Sequence, residues 1–210
     1  MNISITGNLG SGKSSICKVL AKMGYEICSG GTIFRKIAEE KGLTVVELNE
    51  LAKKDRSIDD LIDSTTTKIG REKTDAVVDS RIGWNFLEES FNVFVYVDLS
   101  EAARRVFNDH DRTSESYSSE EEAKANLMER QHLEDDRYAH LYGIDYYDVN
   151  NFHLIVDSTN QTPDELAEKI DKAYKEFKEN PFELRIEGQE LNDKIYKGTV
   201  PDVLLHDRRK

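Results

Sequence analysis

The chain has 210 residues, 38% of them hydrophobic, which is enough apolar material for one compact domain with a sizeable core. Its 41 acidic residues outnumber 29 basic ones, so a nucleic-acid partner is not expected, because phosphate backbones attract basic faces. No apolar run approaches the roughly 20 residues of a membrane helix, so no membrane partner is expected. No basic, cleavable leader precedes the first motif, and we therefore expect a cytoplasmic protein.

Short apolar runs alternate with helical periodicity along the chain. Strands are expected over residues 2–6, 25–28, 76–79, 93–98 and 152–157. Helices are expected over residues 15–23, 32–41, 45–52, 59–70, from 100 onward, 118–142 and 162–178. Such alternation is typical of an α/β fold with buried parallel strands. It predicts one domain over residues 1–180, followed by a charged tail over 181–210 whose role the sequence does not assign.

The only two cysteines, Cys17 and Cys28, form no CxxC pair and have no histidine cluster nearby. We expect buried thiols rather than a disulfide or a zinc site.

A glycine-rich segment lies between the first predicted strand and the first predicted helix. Residues 7–14 match the pattern G-x-x-x-x-G-K-[ST]. Glycines let the backbone wrap around a phosphate, to which amide groups and the helix N-terminus donate. Lys13 is expected to neutralise the β- and γ-phosphates, and the Ser14 hydroxyl to bind magnesium. The predicted nucleotide-binding residues are Gly7, Asn8, Leu9, Gly10, Ser11, Gly12, Lys13, Ser14 and Ser15.

A triphosphate at this loop is compatible with hydrolysis coupled to motion, with GTPase signalling, or with phosphoryl transfer. The Asn-Lys-x-Asp signature of guanine recognition does not occur in the sequence. Arginines spaced along the chain instead suit transfer to an acceptor that is itself an anion.

Two of these arginines follow predicted strands. Arg35 lies shortly after the second strand and Arg81 shortly after the third, and the carboxyl ends of parallel strands face one crevice. Asp79, at the tip of the third strand, is expected to hold magnesium waters. The alternatives are a solvated helix arginine at 35 and a helix-capping aspartate at 79.

Arg130 and Arg137 are seven residues apart on the long predicted helix, so they share one face. From that face they can stabilise the transferred charge and exclude water, which makes residues 105–145 a predicted lid. The alternative is an ordinary surface network with Glu134, one turn from both. The predicted catalytic residues are Lys13, Asp79, Arg130 and Arg137. A tyrosine group is expected in the core rather than as a base-stacking platform: Tyr138, Tyr142, Tyr146 and Tyr147.

Together these motifs resemble the nucleoside monophosphate kinases, most closely the short, archaeal-type cytidylate kinases. The resemblance covers about residues 1–175 and rests on GNLGSGKSS, SGGTIFR (29–35), VVDSRIGW (77–84), RYAHLYGID (137–145) and LIVDST (154–159). It implies a P-loop NTPase fold, a three-layer α/β/α sandwich whose five-stranded parallel sheet has the order 2-3-1-4-5. It also implies a helical acceptor-binding segment near residues 30–70.

The resemblance further implies transfer of the γ-phosphoryl group of ATP to CMP or dCMP with Mg²⁺. We expect a small nucleoside monophosphate as partner and a monomer or homodimer. The predicted metal ligands are Ser14 and Asp79. The predicted substrate-binding residues are Ser29, Gly30, Arg35, Asp59 and Arg81.

Related sequences often have Glu-Gly-Arg where this chain has Asp79-Ser80-Arg81, which leaves the preferred base open. One alternative is a kinase for AMP, UMP or a non-nucleotide acceptor. Another is a nucleotide-sensing module whose partner docks on the tail. Within that tail, ELRIEG and KIYKG are candidates for a hairpin, a dimer contact or disorder.

Overall fold

The computed structural model describes residues 1–44, 47–48, 51, 55–109, 117–187 and 191. Within these residues, six strands form one parallel sheet in the order β2-β3-β1-β4-β5-β6. The strands are β1 Asn2–Gly7, β2 Glu26–Ser29, β3 Ala76–Asp79, β4 Ser90–Tyr96, β5 Leu154–Asp157 and β6 Arg185–Glu187. The helices of the described residues are α1 Lys13–Lys22, α2 Gly30–Lys41, α3 Ser57–Glu72, α4 Leu99–Phe107, α5 Glu120–Tyr142 and α6 Pro163–Glu179.

The α/β class and the order of the first five strands are confirmed, but the prediction of only five strands was wrong. The ELRIEG segment supplies β6, which pairs in parallel with β5 so that Leu154 faces Arg185. Its suggested hairpin partner, residues 194–198, lies outside the described residues. Most residues of the helix predicted over 45–52 also lie outside the described residues.

Helix starts follow local capping chemistry. Thr162 and Glu165 form a capping box at α6, as the sequence indicates. Helix α2 begins earlier than predicted, because the Ser29 hydroxyl accepts a hydrogen bond from the amide of Thr32 (3.1 Å) and so caps the helix at Gly30.

The sheet is covered on both faces. One cluster joins β1 and β4 to α1 and α6, with Ile5, Leu20 and Ile170 fully buried at its centre. A second cluster on the sheet includes Tyr146 and Tyr147, which are buried as expected. Both cysteines are buried free thiols. None of the described helices combines the length and apolar character needed to cross a bilayer.

A buried asparagine connects the start of the sheet to the end of α3. Asn2 is 1% exposed, and its Nδ2 donates to the carbonyls of Gly70 (3.3 Å) and Lys73 (2.9 Å). Its Oδ1 accepts from the amide of Ala76 (3.0 Å), the first residue of β3. One side chain therefore satisfies three backbone groups that would otherwise be buried without partners.

We predict that Asn2→Ala lowers the free energy of unfolding by about 2 to 3 kcal/mol, because it leaves these backbone groups unsatisfied. Urea denaturation followed by circular dichroism measures this change. Asn180→Ala, at an exposed helix end, is the matched control and should stay within about 0.5 kcal/mol of wild type. Equal stability of the two variants would contradict the connecting role of Asn2.

Candidate active site

The glycine loop follows β1 and leads directly into α1. Gly7 has a φ of 156°, and a Cβ at this position would lie 2.3 Å from the carbonyl oxygen of Val95, so only glycine fits against β4. Gly12, with a φ of 81°, precedes the first residue of α1 in the left-handed region. The loop therefore packs tightly against the sheet at Gly7, and its last residues lead into the N-terminus of α1.

Lys13 folds back over the loop from the first turn of α1. Its Nζ donates to the carbonyl oxygens of Gly7 (2.8 Å) and Asn8 (3.0 Å). Burial, followed by the nearby charge of Arg81, lowers the pKa of Lys13 to about 7. A cation in this position gains stability from any anion placed beside it.

The end of β3 brings two further charges to the same place. Arg81 donates from Nη1 to the carbonyl of Gly7 (2.9 Å), the group that Lys13 also contacts. Its main-chain carbonyl accepts from the Thr6 hydroxyl (3.1 Å), which fixes the turn after β3 against β1. Burial raises the pKa of Asp79, while Lys13 and Arg81 oppose that rise. Two cations and one carboxylate thus converge at the carboxyl end of β1.

A cavity of 1160 Å³ opens above these strand ends. Its lining comes from the glycine loop, from the starts of α1 and α2, from the turn after β3, and from α3, α4 and α5. The predicted site residues that line it are Leu9, Gly10, Ser11, Gly12, Lys13, Ser14, Ser15, Ser29, Gly30, Asp79, Arg81, Arg130 and Arg137.

Four predicted site residues are not part of this lining. Gly7 and Asn8, the first two residues of the loop, face the sheet, and the Asn8 side chain accepts a hydrogen bond from the amide of Val97 (3.3 Å). Arg35 is exposed on α2 and donates to Thr32 Oγ1 (3.3 Å), beside the cavity-lining Gly31. Asp59 receives two hydrogen bonds from Arg137 Nη2 (2.8 and 3.0 Å).

Helix α5 is tied to the acceptor side of the cavity by ionic contacts. Oε2 of Glu134 lies 3.3 Å from Nε of Arg81. Glu134 therefore pairs with an arginine of the cavity, whereas the alternative drawn from the sequence placed it in a surface network with Arg130 and Arg137. Arg137 joins α5 to α3 through Asp59. The arginine face of α5 therefore borders the cavity, and Arg130 and Arg137 both line it.

Two arginines of α4 line the cavity although no sequence motif assigned them a role. Arg105 donates from Nη2 to the carbonyl of Ser158 (2.6 Å) and from Nε to Glu101 (2.7 Å). Hydrogen bonds from Arg104 and then Arg105 lower the pKa of Glu101 to about 2, which keeps the carboxylate charged. The i,i+3 and i,i+4 spacing to Glu101 was visible in the sequence, but the approach of the 158–159 turn was not.

Side chains of α3, of α5 and of the segment after β3 complete the lining. They are Ile62, Asp63, Thr66, Phe86, Tyr138 and Tyr142. Tyr138 and Tyr142 were expected only as core residues, yet they pack against the second cluster and line the cavity as well.

Comparison with known proteins agrees with this architecture. A model of the cytidylate kinase-like family matches residues 2–160. A cytidylate kinase of Halobacterium salinarum is 34% identical over 173 residues, which cover 81% of this chain and 87% of the relative. A cytidylate kinase of Methanoregula boonei is 31% identical over 185 residues, covering 87% and 98%.

A solved shikimate kinase of Aquifex aeolicus shares the fold, with a TM-score of 0.54 and 17% identity over 87% of this chain and all of that one. Its low identity indicates the P-loop kinase fold alone. The family match and the curated relatives carry the assignment: this chain belongs to the cytidylate kinase-like family.

Proposed function

We propose that the protein transfers the γ-phosphoryl group of ATP to CMP or dCMP with Mg²⁺, giving ADP and CDP or dCDP. The names of the curated relatives support this acceptor. One observation carries the proposal. Lys13 of the phosphate loop and Arg81 of the acceptor side donate to the same carbonyl, that of Gly7, and both residues line one continuous cavity.

This shared anchor brings two anions together. Lys13 contacts the β- and γ-phosphates of ATP, and Arg81 contacts the phosphate of the acceptor, so both phosphates lie close to the end of β1. Alignment of the attacking and leaving oxygens is the main requirement of phosphoryl transfer. The monophosphate oxygen is already nucleophilic, so no covalent enzyme intermediate is needed.

The charges around the cavity suit the transition state. Arg130 and Arg137 act from α5, which belongs to the proposed lid over residues 105–145, and stabilise the charge that develops on the transferred group. The segment near residues 30–70 holds the acceptor, with Ser29 and Gly30 near its phosphate and Arg35 at the outer edge of the site, beside Gly31. Closure of α5 excludes water and so limits wasteful hydrolysis of ATP.

The residues present fit a magnesium ion. The Ser14 hydroxyl and the Asp79 carboxylate line the same cavity, and both are oxygen ligands of the type Mg²⁺ prefers. No group of three or more His, Cys, Asp or Glu in the described part of the chain forms a ready metal cage, which suits an ion held by one carboxylate and by substrate phosphates. When bound, the ion neutralises phosphate charge.

A panel of acceptors in one coupled assay of ADP release tests the proposed function. CMP and dCMP should stimulate ADP release more than AMP, UMP or shikimate. ATP binding without stimulation by any acceptor would contradict a kinase and favour a nucleotide-sensing module.

We predict that Arg81→Ala raises KM for CMP by about 10- to 100-fold and raises KM for ATP much less, because a charge-assisted hydrogen bond contributes about 1.5 to 3 kcal/mol. Steady-state kinetics with each substrate varied measure the two constants. Arg71→Ala removes an exposed arginine paired with Glu88 (2.8 Å) and is the matched control. Equal effects of Arg81→Ala on both substrates would contradict its role at the acceptor.

We also predict that Asp79→Asn raises the Mg²⁺ concentration for half-maximal activity by about 10- to 100-fold, as is typical when a residue that positions metal waters is changed. Titration of activity with MgCl₂ at fixed ATP measures this. Asp164→Asn, at an exposed position in the first turn of α6, should leave the requirement unchanged. An unaltered requirement in Asp79→Asn would rule out the proposed metal role.

A further inference from the structure

Part of the cavity wall is apolar and aromatic, unlike the wall around the glycine loop. There α3 contributes Ile62, Asp63 and Thr66, and aromatic rings line the cavity from Phe86, Tyr138 and Tyr142. Phe86 and Tyr142 meet edge to face with centroids 5.5 Å apart. Aromatic and aliphatic walls of this kind accept the flat face of a nucleobase.

The main charged neighbours of Lys13 and of Asp63 differ. The charges that act on Lys13 are chiefly those of Arg81, Asp79 and Glu134. The groups with the largest effects on Asp63 are Tyr142, Asp59, Asp60 and Arg137. The wall around the glycine loop therefore suits phosphates, while the other part of the wall places the Asp63 carboxyl among apolar and aromatic side chains.

The carboxyl of Asp63 is held in a fixed orientation. The Tyr142 hydroxyl of α5 donates to Oδ2 (2.9 Å). Oδ1 receives no hydrogen bond from the described residues, and it belongs to a side chain that lines the cavity. Asp63 thus offers one oriented acceptor to a ligand, while Tyr142 occupies the other oxygen.

We propose that Asp63 determines base specificity: its Oδ1 accepts a hydrogen bond from the exocyclic amino group of the acceptor base, with Tyr142 as the positioning residue. This inference rests on the proposed function and deepens it, since it names the residue that distinguishes cytosine from uracil.

The chemistry of the two bases makes this residue selective. Cytosine carries an amino group where uracil carries a carbonyl oxygen. An ionised carboxylate accepts from the amino group but faces the uracil carbonyl without any donor between them, which leaves two buried acceptors unsatisfied. Selection therefore comes from a favourable contact with one base and from an unfavourable contact with the other.

The same geometry predicts a dependence on pH. Burial is the main influence that raises the pKa of Asp63 to about 6; Asp59 and Asp60 of α3 add to the rise, while Tyr142 and Arg137 of α5 oppose it. Above about pH 6 the carboxylate accepts from cytosine. Below it Oδ1 carries a proton and can donate to the uracil carbonyl. Preference for CMP over UMP should therefore fall as pH decreases through about 6.

The first experiment compares kcat/KM for CMP and UMP at about pH 8, where Asp63 is ionised. In Asp63→Asn the amide can both donate and accept, so we expect the CMP-to-UMP ratio to fall by at least about tenfold. Asp60→Asn, an exposed carboxylate on the same helix that does not line the cavity, is the matched control and should keep the wild-type ratio. An unchanged ratio in Asp63→Asn overturns the proposal.

The second experiment uses the native chain, so it does not depend on the folding of a variant. The ratio of kcat/KM for CMP and UMP is measured between about pH 5 and 8. Both acceptors carry the same phosphate group, so its titration cancels in the ratio. We expect the ratio to fall by about tenfold or more on the acid side, and a ratio independent of pH overturns the proposal.

These outcomes are distinguishable from failure of the proposed function. If Asp63→Asn keeps the ratio while phosphorylation of CMP continues, only the specificity assignment is wrong. If the wild-type chain phosphorylates neither CMP nor UMP, the proposed function itself is wrong, and with it the specificity assignment.

Discussion

The carbonyl oxygen of Gly7 is the point on which the rest of the site depends. It accepts hydrogen bonds from Lys13 (2.8 Å), Arg81 (2.9 Å) and Tyr146 (3.3 Å). Two cations held on one carbonyl repel each other, and Asp79 and Glu134 oppose that repulsion. Anionic substrates would oppose it further, which favours phosphate binding where the sheet brings β1 and β3 together.

The sheet order explains why these groups meet. Because β3 pairs with β1, Asp79 lies directly beside the glycine loop, and the turn after β3 carries Arg81 beneath it. Because β4 pairs with β1 on the other side, Val95 contacts Gly7 and permits only a glycine there. Helix α5 then contributes Glu134 from above. Residues far apart in sequence thus share one small volume, where the proposed function places two neighbouring phosphates.

The parts of the site that local sequence encodes were predictable. The glycine loop, the strand end at Asp79 and the arginine spacing of α5 each follow from short patterns. Asp63 and Arg105 were not predictable as site residues, because their place depends on how α3 and α4 pack beside the loop. The segment of β6 was considered only as half of a possible hairpin, because its three residues are partly buried and no apolar run marks them as a sixth strand of the sheet. The strand that precedes Arg35 was predicted correctly, yet the Arg35 side chain is exposed and does not line the cavity.

The proposed function requires that a nucleoside triphosphate and a nucleoside monophosphate occupy one cavity with their phosphates side by side. Calorimetric competition with a bisubstrate analogue, adenosine joined to cytidine through a polyphosphate bridge, tests this requirement. We expect one analogue bound per chain, displaced by ATP and also by CMP, with an affinity well above that of either substrate because the link raises the effective concentration of the second half. Displacement by ATP alone would contradict this requirement.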